Sequence, residues 1–317
     1  MKVAVLFPGY GSQFVGMGKE FYNDSRIVQE YFELASSCLD INFTKLCFAS
    51  SDMELSKMGN ANTALFLVGS AICALLKDAQ IPFDMVAGYN HGEYTALFAA
   101  DGISFPDGLY LLNKLSGFYQ DVLNDSDIHA MFVSGILTQE LSAMCATAGV
   151  EGEYVSIALY CTKVDHIISG SMIAVDKVKK MVAQHAHAKT HNTSVELGLH
   201  SPLFNGVADQ FKMYLEKVDF KDLAVPLLSC SDGNPIVQGM AVKHHVIEHI
   251  NSPVRWDKIM ESCVESDIII EVGPGTQLSG IITGMYPEKK VVSVNKSADI
   301  DTIRNMLNSH TDTGIGQ

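Results

Sequence analysis

The sequence contains few basic residues. Its 317 residues include 22 lysines and arginines against 36 aspartates and glutamates, which gives a formal net charge of −14. Nucleic acids and anionic membrane surfaces bind basic protein surfaces. The charge balance therefore argues against nucleic acid and against an anionic membrane surface as partners.

Paired cysteines and long apolar runs are also missing. The seven cysteines form no C-x-x-C pair, so we expect reduced, mostly buried thiols rather than a disulfide or zinc framework. The apolar run at residues 3–7 is too short for a signal peptide, and the run at 64–76 has the length of a buried helix rather than a membrane span. We therefore expect a cytoplasmic protein without a membrane segment.

Strands and helices alternate over most of the chain. Hydrophobic residues make up 47% of the sequence, which is enough for a large core. Apolar runs predict strands at 2–7, 84–89, 225–230, 267–272 and 289–294. Longer patterns predict helices at 60–78, 91–100, 106–123, 202–217, 241–250, 255–264 and 276–285, and Asn60 or Asn62 is expected to cap the first. This order predicts an α/β fold with a parallel sheet covered on both faces.

Residues 127–198 show a different order of predicted strands and helices. Their segments read β-α-β-β-α-β, with a final strand at 189–198, which is typical of a ferredoxin-like unit. We therefore expect a discontinuous large subdomain at 1–126 and 199–307 and a small subdomain at 127–198. The polar residues 308–317 are expected to form a frayed tail.

The segment GYNHGEY, residues 88–94, lies where a predicted strand meets a predicted helix. Its Gly88-x-Asn90-x-Gly92 spacing is typical of a nucleophile elbow, a sharp turn that presents a serine. Asn90 takes the place of that serine, and its neutral amide is not a useful nucleophile. The elbow therefore belongs either to an enzyme that has lost its nucleophile and its activity or to one with different chemistry.

Two further segments contain residues that packing of a hydrophobic core does not require. FPGYGSQ, residues 7–13, offers backbone amides on a glycine-rich turn that could hold an oxyanion. LGLHSP, residues 197–202, places His200 between a strand and a helix that begins with proline. The amide of His91 lies at a helix N-terminus, where the helix dipole favours negative charge.

Together with VDHIISGS, SPVRW and EVGPGTQLSG, these segments resemble the malonyl-CoA:acyl-carrier-protein transacylase family of fatty-acid and polyketide synthesis. The resemblance runs from about residue 2 to residue 295. It implies an α/β-hydrolase-like core with a ferredoxin-like small subdomain and an active site between them. It also implies an acyl carrier protein as partner and, with no bound cofactor, the phosphopantetheine thioester of CoA or of the carrier as substrate.

In the family, a serine at the elbow attacks the thioester and a histidine serves as its base. The resemblance places the base at His200 and the serine at Asn90. The backbone position that orients the base falls near His249. Acyl transfer through a covalent intermediate at Asn90 is therefore not expected.

Three substrate contacts of the family also differ here. Tyr10 takes the place of one glutamine, although Gln13 remains, and Asn62 takes the place of another. Ser116 takes the place of the arginine that pairs with the malonyl carboxylate. Because Ser116 is too short to replace a guanidinium, the resemblance implies that selectivity for malonyl is lost.

Three functions remain open. His200 could activate a carrier thiol or water, which would give transfer or hydrolysis without an acyl-enzyme. Alternatively, Tyr10, Asn90 and the His91 amide could hold the thioester carbonyl while His200 removes an α-proton, giving isomerisation, epimerisation or dehydration. Finally, the protein could bind a carrier protein without catalysis.

The remaining histidines and cysteines receive structural interpretations. No acidic or cysteine partner is spaced as a zinc ligand set, so no metal site is expected. Cys161 has no neighbouring base and is expected to be inert. We expect surface positions for His185, His187, His191, His244 and His245, and a solvated or capping role for the ring of His91.

Overall fold

The computed structural model describes residues 1–150 and 152–311. The strands are β1 Val3–Phe7, β2 Met85–Gly88, β3 Ile128–Ser134, β4 Val155–Tyr160, β5 Asp165–Ser171, β6 Lys189–Thr193, β7 Leu227–Leu228, β8 Pro235–Ile236, β9 Ile268–Val272 and β10 Lys290–Val294. The helices are α1 Lys19–Asp24, α2 Arg26–Leu39, α3 Phe43–Ala49, α4 Asp52–Leu55, α5 Met58–Asp78, α6 Gly92–Ala99, α7 Phe105–Asn124, α8 Thr138–Ala148, α9 Met172–Val182, α10 Asn205–Leu215, α11 Gly239–Asn251, α12 Trp256–Cys263, α13 Gln277–Met285 and α14 Ser297–Thr311. Two 3-10 turns lie at Val195–Leu197 and Pro202–Phe204.

The large sheet has the order β10-β9-β1-β2-β7-β8 and is parallel except for β8. Strand β1 pairs with both β2 and β9, and all five of its residues are buried. A central parallel strand is covered on both faces, so its sequence VAVLF shows no polar alternation. The predicted α/β fold is confirmed. Strand β7 is shorter than predicted, since Pro226 lies directly before it.

The second sheet is antiparallel and has the order β4-β5-β3-β6. With α8 and α9 it forms the predicted β-α-β-β-α-β unit, and it has a hydrophobic core of its own that includes Met131, Leu141 and Ile168. The predicted final strand is shorter than expected. It ends at Thr193, and the chain then makes the 3-10 turn Val195–Leu197 before it reaches His200.

Helix α5 passes through the core of the large subdomain. It begins at Met58 after Lys57, so the prediction that Asn60 or Asn62 caps it is wrong. Asn60 instead donates to the backbone carbonyl of Glu54 at 2.9 Å. The helix is long and apolar enough to cross a membrane. However, 78% of its most apolar 18-residue stretch is buried inside this fold, as in a core helix of a soluble protein.

The C-terminal prediction is only partly matched. Helix α14 continues to Thr311, so it extends into the tail that was predicted to begin at residue 308. Residues 312–317 lie outside the described residues.

The turn between β2 and α6 is packed tightly against the loop that follows β1. A Cβ atom on Gly9 would lie 2.1 Å from the carbonyl oxygen of Tyr89, and one on Gly92 would lie 2.3 Å from that of Phe7. The amide of Tyr89 also donates to the carbonyl of Phe7 at 2.9 Å. Only glycine allows these backbones to approach so closely.

We expect Gly92→Ala to lower the free energy of unfolding by about 2 kcal/mol or more, because its methyl group would force two backbone segments apart. Gly117→Ala is the matched control, since a Cβ at this exposed position in α7 meets nothing within 4 Å. That change should stabilise the protein by about 0.5–1 kcal/mol. Denaturant unfolding measures both, and equal effects of the two substitutions would contradict the tight packing of the elbow.

Candidate active site

Asn90 stands at the tip of the elbow between β2 and α6. It has φ = 54°, in the left-handed region that asparagine tolerates better than most residues, and it is fully buried. Its side-chain oxygen accepts a hydrogen bond from the amide of the next residue, His91, at 2.7 Å. Its side-chain nitrogen donates to the backbone carbonyl of Glu196 at 3.3 Å. Asn90 therefore joins the elbow to the 3-10 turn that precedes His200.

The amide of His91 is the backbone group that could hold an oxyanion at this turn. In the structure, the side-chain oxygen of Asn90 already occupies it. The imidazole of His91 is buried, and neither ring nitrogen has a hydrogen-bond partner among the described residues. The expectation that this ring is solvated or caps the helix is wrong. Burial, assisted by the charge of His249, lowers its pKa to about 3, so the ring is neutral.

His200 is buried next to the elbow and is held from one side by α11. Its Nδ1 lies 2.7 Å from the backbone oxygen of His249, the position that the sequence comparison indicated. Because a carbonyl only accepts, Nδ1 carries the proton and Nε2 presents a lone pair. Nε2 has no hydrogen-bond partner within the described part of the chain.

The environment of His200 favours a neutral ring. Burial, followed by the charges of His249 and His91, holds its pKa well below the usual value. The ring stacks on that of His249, with centroids 4.4 Å apart, and lies 6.0 Å from that of His91. An oriented, neutral imidazole whose Nε2 has no other partner among the described residues is suited to accept a proton.

Asn62 and Ser116 form a buried pair on α5 and α7. The side-chain nitrogen of Asn62 donates to the hydroxyl of Ser116 at 3.0 Å. The space lined by Asn62, Phe66, His91 and Thr95 is too small for a water molecule. These two positions therefore hold a neutral, mutually bonded pair.

Tyr10 lies apart from this pair. Its hydroxyl donates to the backbone carbonyl of Ser56 at 2.8 Å, so its proton is already engaged. Burial raises the pKa of its phenol, and the charge of Glu196 adds to this effect. Tyr10 thus borders the same 3-10 turn that Asn90 contacts.

The sequence analysis missed a second set of polar residues behind His200. Glu93 is buried, and its Oε2 lies 2.7 Å from Nδ1 of His249 and 3.4 Å from Nε2 of His245. Burial raises the pKa of this carboxyl, but the charges of His249 and His245 outweigh that effect and hold it well below its usual value. The prediction that His245 lies at the surface is therefore wrong.

A sequence signal for this burial was available. His245 and His249 are four residues apart, as are Val242 and Val246, so all four lie close to one face of α11. That face is buried, whereas His244 is exposed.

The other predicted positions show no catalytic arrangement. His187 and His191 are exposed and His185 is partly exposed, with Nδ1 of His185 3.5 Å from Glu140. Burial raises the pKa of the Cys161 thiol to about 12, so it is protonated at neutral pH. Six of the seven cysteines are buried and all are free, which confirms the expectation of reduced thiols.

The fold and the site define a class of protein. A strand-turn-helix elbow beside a backbone-oriented histidine, on a parallel sheet with a ferredoxin-like insertion, is the framework of an α/β-hydrolase-like acyltransferase. Residues 5–308 match the family described as "Acyl transferase domain". The chain belongs to this acyltransferase family.

Individual relatives support this assignment over the whole chain. The malonyl CoA-acyl carrier protein transacylase of Bacillus subtilis (strain 168) is 28% identical, covering 98% of this chain and 99% of that protein. The crystal structure of the acyl-carrier-protein S-malonyltransferase of Burkholderia pseudomallei is 27% identical, with a TM-score of 0.90, covering 96% of this chain and 100% of that one. The malonyl CoA-acyl carrier protein transacylase structure from Clostridium perfringens is 23% identical, has a TM-score of 0.92 and covers both chains fully, which shows the shared fold.

We expect Asn90→Ala to lower the free energy of unfolding by about 2–4 kcal/mol. It leaves the buried amide of His91 without an acceptor, which costs about 1–3 kcal/mol, and places a Cβ residue without a capping side chain in the left-handed region. Asn90→Gly relieves that backbone strain but does not restore the hydrogen bond, so it should be about 1 kcal/mol more stable than Asn90→Ala. Chemical denaturation tests this order, and wild-type stability in Asn90→Ala would show that the 2.7 Å bond contributes little.

Proposed function

We propose that this protein acts on acyl thioesters of CoA or of an acyl carrier protein, in fatty-acid or polyketide assembly, without forming an acyl-enzyme at the elbow. The observation that carries the proposal is the orientation of His200: the carbonyl of His249 fixes its Nδ1, and its buried Nε2 has no hydrogen-bond partner among the described residues. The names of the relatives, which include the acyl carrier protein, support the substrate class and the partner.

In the proposed reaction, His200 acts as a general base in a single displacement. Nε2 removes the proton of a carrier thiol or of water as that sulfur or oxygen bonds to the thioester carbonyl carbon. The bond from this carbon to the pantetheine sulfur then breaks, and the leaving thiolate takes the proton from the imidazolium. The products are an acylated carrier or a free acid, together with a free pantetheine thiol.

The elbow would hold the carbonyl rather than attack it. In the structure, the His91 amide donates to the side chain of Asn90. In the proposed complex, the thioester oxygen replaces Asn90 as the acceptor of this amide, and the released Asn90 amide group provides a second donor. Each well-placed donor of this kind contributes about 3–4 kcal/mol to transition-state stabilisation in acyl transfer.

The proposal includes loss of malonyl selectivity. A carboxylate clamp needs a planar guanidinium with two parallel donors. Ser116 offers one hydroxyl, which is already the acceptor of the Asn62 amide. Arg255 is engaged with Asp257 through bonds of 2.9 Å and 2.8 Å.

One observation favours a second function, which is carrier binding without catalysis. Asn90, His91 and His200 are 0%, 5% and 1% exposed, and the His91 amide is already satisfied. A substrate would therefore have to open the site before it could react.

Intact mass spectrometry of the protein and of acylated carrier proteins tests the proposal. We expect transfer or release of the acyl group with no acyl adduct on the wild-type protein. His200→Ala should reduce the rate by about 100-fold or more, as for loss of a general base. His244→Ala is the control, because this neighbour of His245 is exposed and should leave the rate unchanged.

The alternative outcomes are distinct. A wild-type adduct with the mass of the acyl group would overturn the proposal. Unchanged acyl carriers combined with measurable carrier binding would favour the non-catalytic function. Loss of water from a β-hydroxyacyl carrier would instead indicate α-proton removal by His200.

A second measurement tests selectivity. We expect kcat/KM for a malonyl thioester to be no higher than for the acetyl thioester, because no clamp compensates for desolvation of the extra carboxylate. Ser116→Ala should keep the same ratio, since Ser116 binds Asn62 rather than a carboxylate. A preference for malonyl of about tenfold, equivalent to 1.4 kcal/mol, would show that another cation reaches the acyl group.

A further inference from the structure

A cluster of four metal-type donors is buried behind His200. Glu93 lies in the first turn of α6, Cys230 follows β7 closely, and His245 and His249 lie on α11. All four residues are at most 5% exposed. None of them has a role in the proposed acyl chemistry except His249, which contributes its backbone carbonyl.

We propose that Glu93, Cys230, His245 and His249 form a structural Zn²⁺ site. This inference is independent of the proposed function, because it concerns the side chains of these residues and not the reaction at Nε2 of His200.

The distances suit a shared ion. Glu93, Cys230 and His249 each offer a donor atom, and these atoms lie within 4.8 Å of one another. Nε2 of His245 adds a fourth donor, 3.4 Å from Oε2 of Glu93 and 3.5 Å from Sγ of Cys230. With usual zinc bond lengths, tetrahedral geometry separates N and O donors by about 3.3 Å and S and N donors by about 3.6 Å. The 2.7 Å approach of Glu93 to His249 would have to widen. The rings of His245 and His249, whose centroids lie 6.2 Å apart, would have to move closer to share the ion.

Glu93 also lacks the hydrogen bonds that a buried carboxylate needs. Both of its oxygens, and Nε2 of His249, are without a hydrogen-bond partner among residues 1–150 and 152–311. The short contact between Glu93 and His249 thus lacks the angles of a hydrogen bond. Since a buried carboxylate without well-formed hydrogen bonds is costly, an ion shared with the imidazoles accounts for the arrangement better than the ion pairs alone.

The charges of the site would balance. A Zn²⁺ ion bound by one carboxylate, one thiolate and two neutral imidazoles carries no net charge, so its burial avoids the cost of an isolated ion. On binding, the thiol of Cys230 gives up its proton to solvent. The backbone amide of Cys230 would lose its 3.4 Å contact with Nε2 of His245.

The sequence spacing agrees with this assignment. His245 and His249 stand at positions i and i+4 of one helix, the spacing with which helical histidines bind zinc in H-E-x-x-H and H-x-x-E-H motifs. Glu248 does not take part, because its carboxylate lies 3.5 Å from His244 on the exposed face. A mixed thiolate and imidazole set favours Zn²⁺ over Mg²⁺ or Ca²⁺. Four protein ligands leave no open position, as in structural sites.

The first test is the metal content of untagged protein produced in zinc-replete medium and measured by elemental mass spectrometry. We expect about one Zn²⁺ per folded chain, as in other closed four-ligand sites. Cys230→Ser and His245→Gln should each reduce the content severalfold or more. His244→Gln is the matched control on the same helix and should retain the ion.

The second test does not depend on variants that fold. Wild-type protein is produced in zinc-poor medium containing Co²⁺, and its absorption spectrum is recorded. We expect a thiolate-to-cobalt charge-transfer band and intense tetrahedral ligand-field bands. Folded wild-type protein with neither zinc nor these bands would overturn the proposal and identify the cluster as a buried ion pair of Glu93 with its histidines.

Discussion

The close approach of two backbone segments is the constraint on which the site depends. The elbow and the loop after β1 meet where Gly9 and Gly92 leave no space for a Cβ atom. This contact fixes the sharp turn, and the turn holds Asn90 in its left-handed conformation. The start of α6 follows from the same turn, so Glu93 is directed into the interior. A shift of the elbow would therefore disturb the candidate site and the buried cluster together.

His249 connects these two regions. Its backbone carbonyl orients His200, its ring stacks on the same residue, and its Nδ1 contacts Glu93. Helix α11 consequently positions His200, the proposed base. The ring centroids of His249 and His200 are 4.4 Å apart. A charge or a bound ion at His249 would therefore interact strongly with His200 in this dry interior.

Much of the fold could be read from periodicity. Strand β1 and helix α5 are strongly apolar, although the start of α5 was misplaced, and the β-α-β-β-α-β order identified the antiparallel unit. The contact near His249 was also predictable, since it uses a backbone carbonyl that any residue would supply. The helical spacing of His245 with Val242, Val246 and His249 could have indicated that His245 is buried. Its contact with Glu93 could not be predicted, because it depends on how α6 and α11, which are distant in sequence, pack. The hydrogen bond that the His91 amide donates to Asn90 depends on a side-chain rotamer, which a sequence pattern does not specify.

The side chain of Asn90 resembles a ligand that the protein carries within itself. Its amide oxygen occupies the donor that a substrate carbonyl would need, and as part of the same chain it does so at a very high effective concentration. If the elbow binds a thioester as proposed, this contact is self-inhibitory. A free small thioester would compete with the tethered oxygen on its own, whereas a carrier-bound one would gain additional binding energy from contacts of the carrier with the protein surface. Under the proposed function, contacts with the carrier protein would therefore matter more for binding than the acyl group.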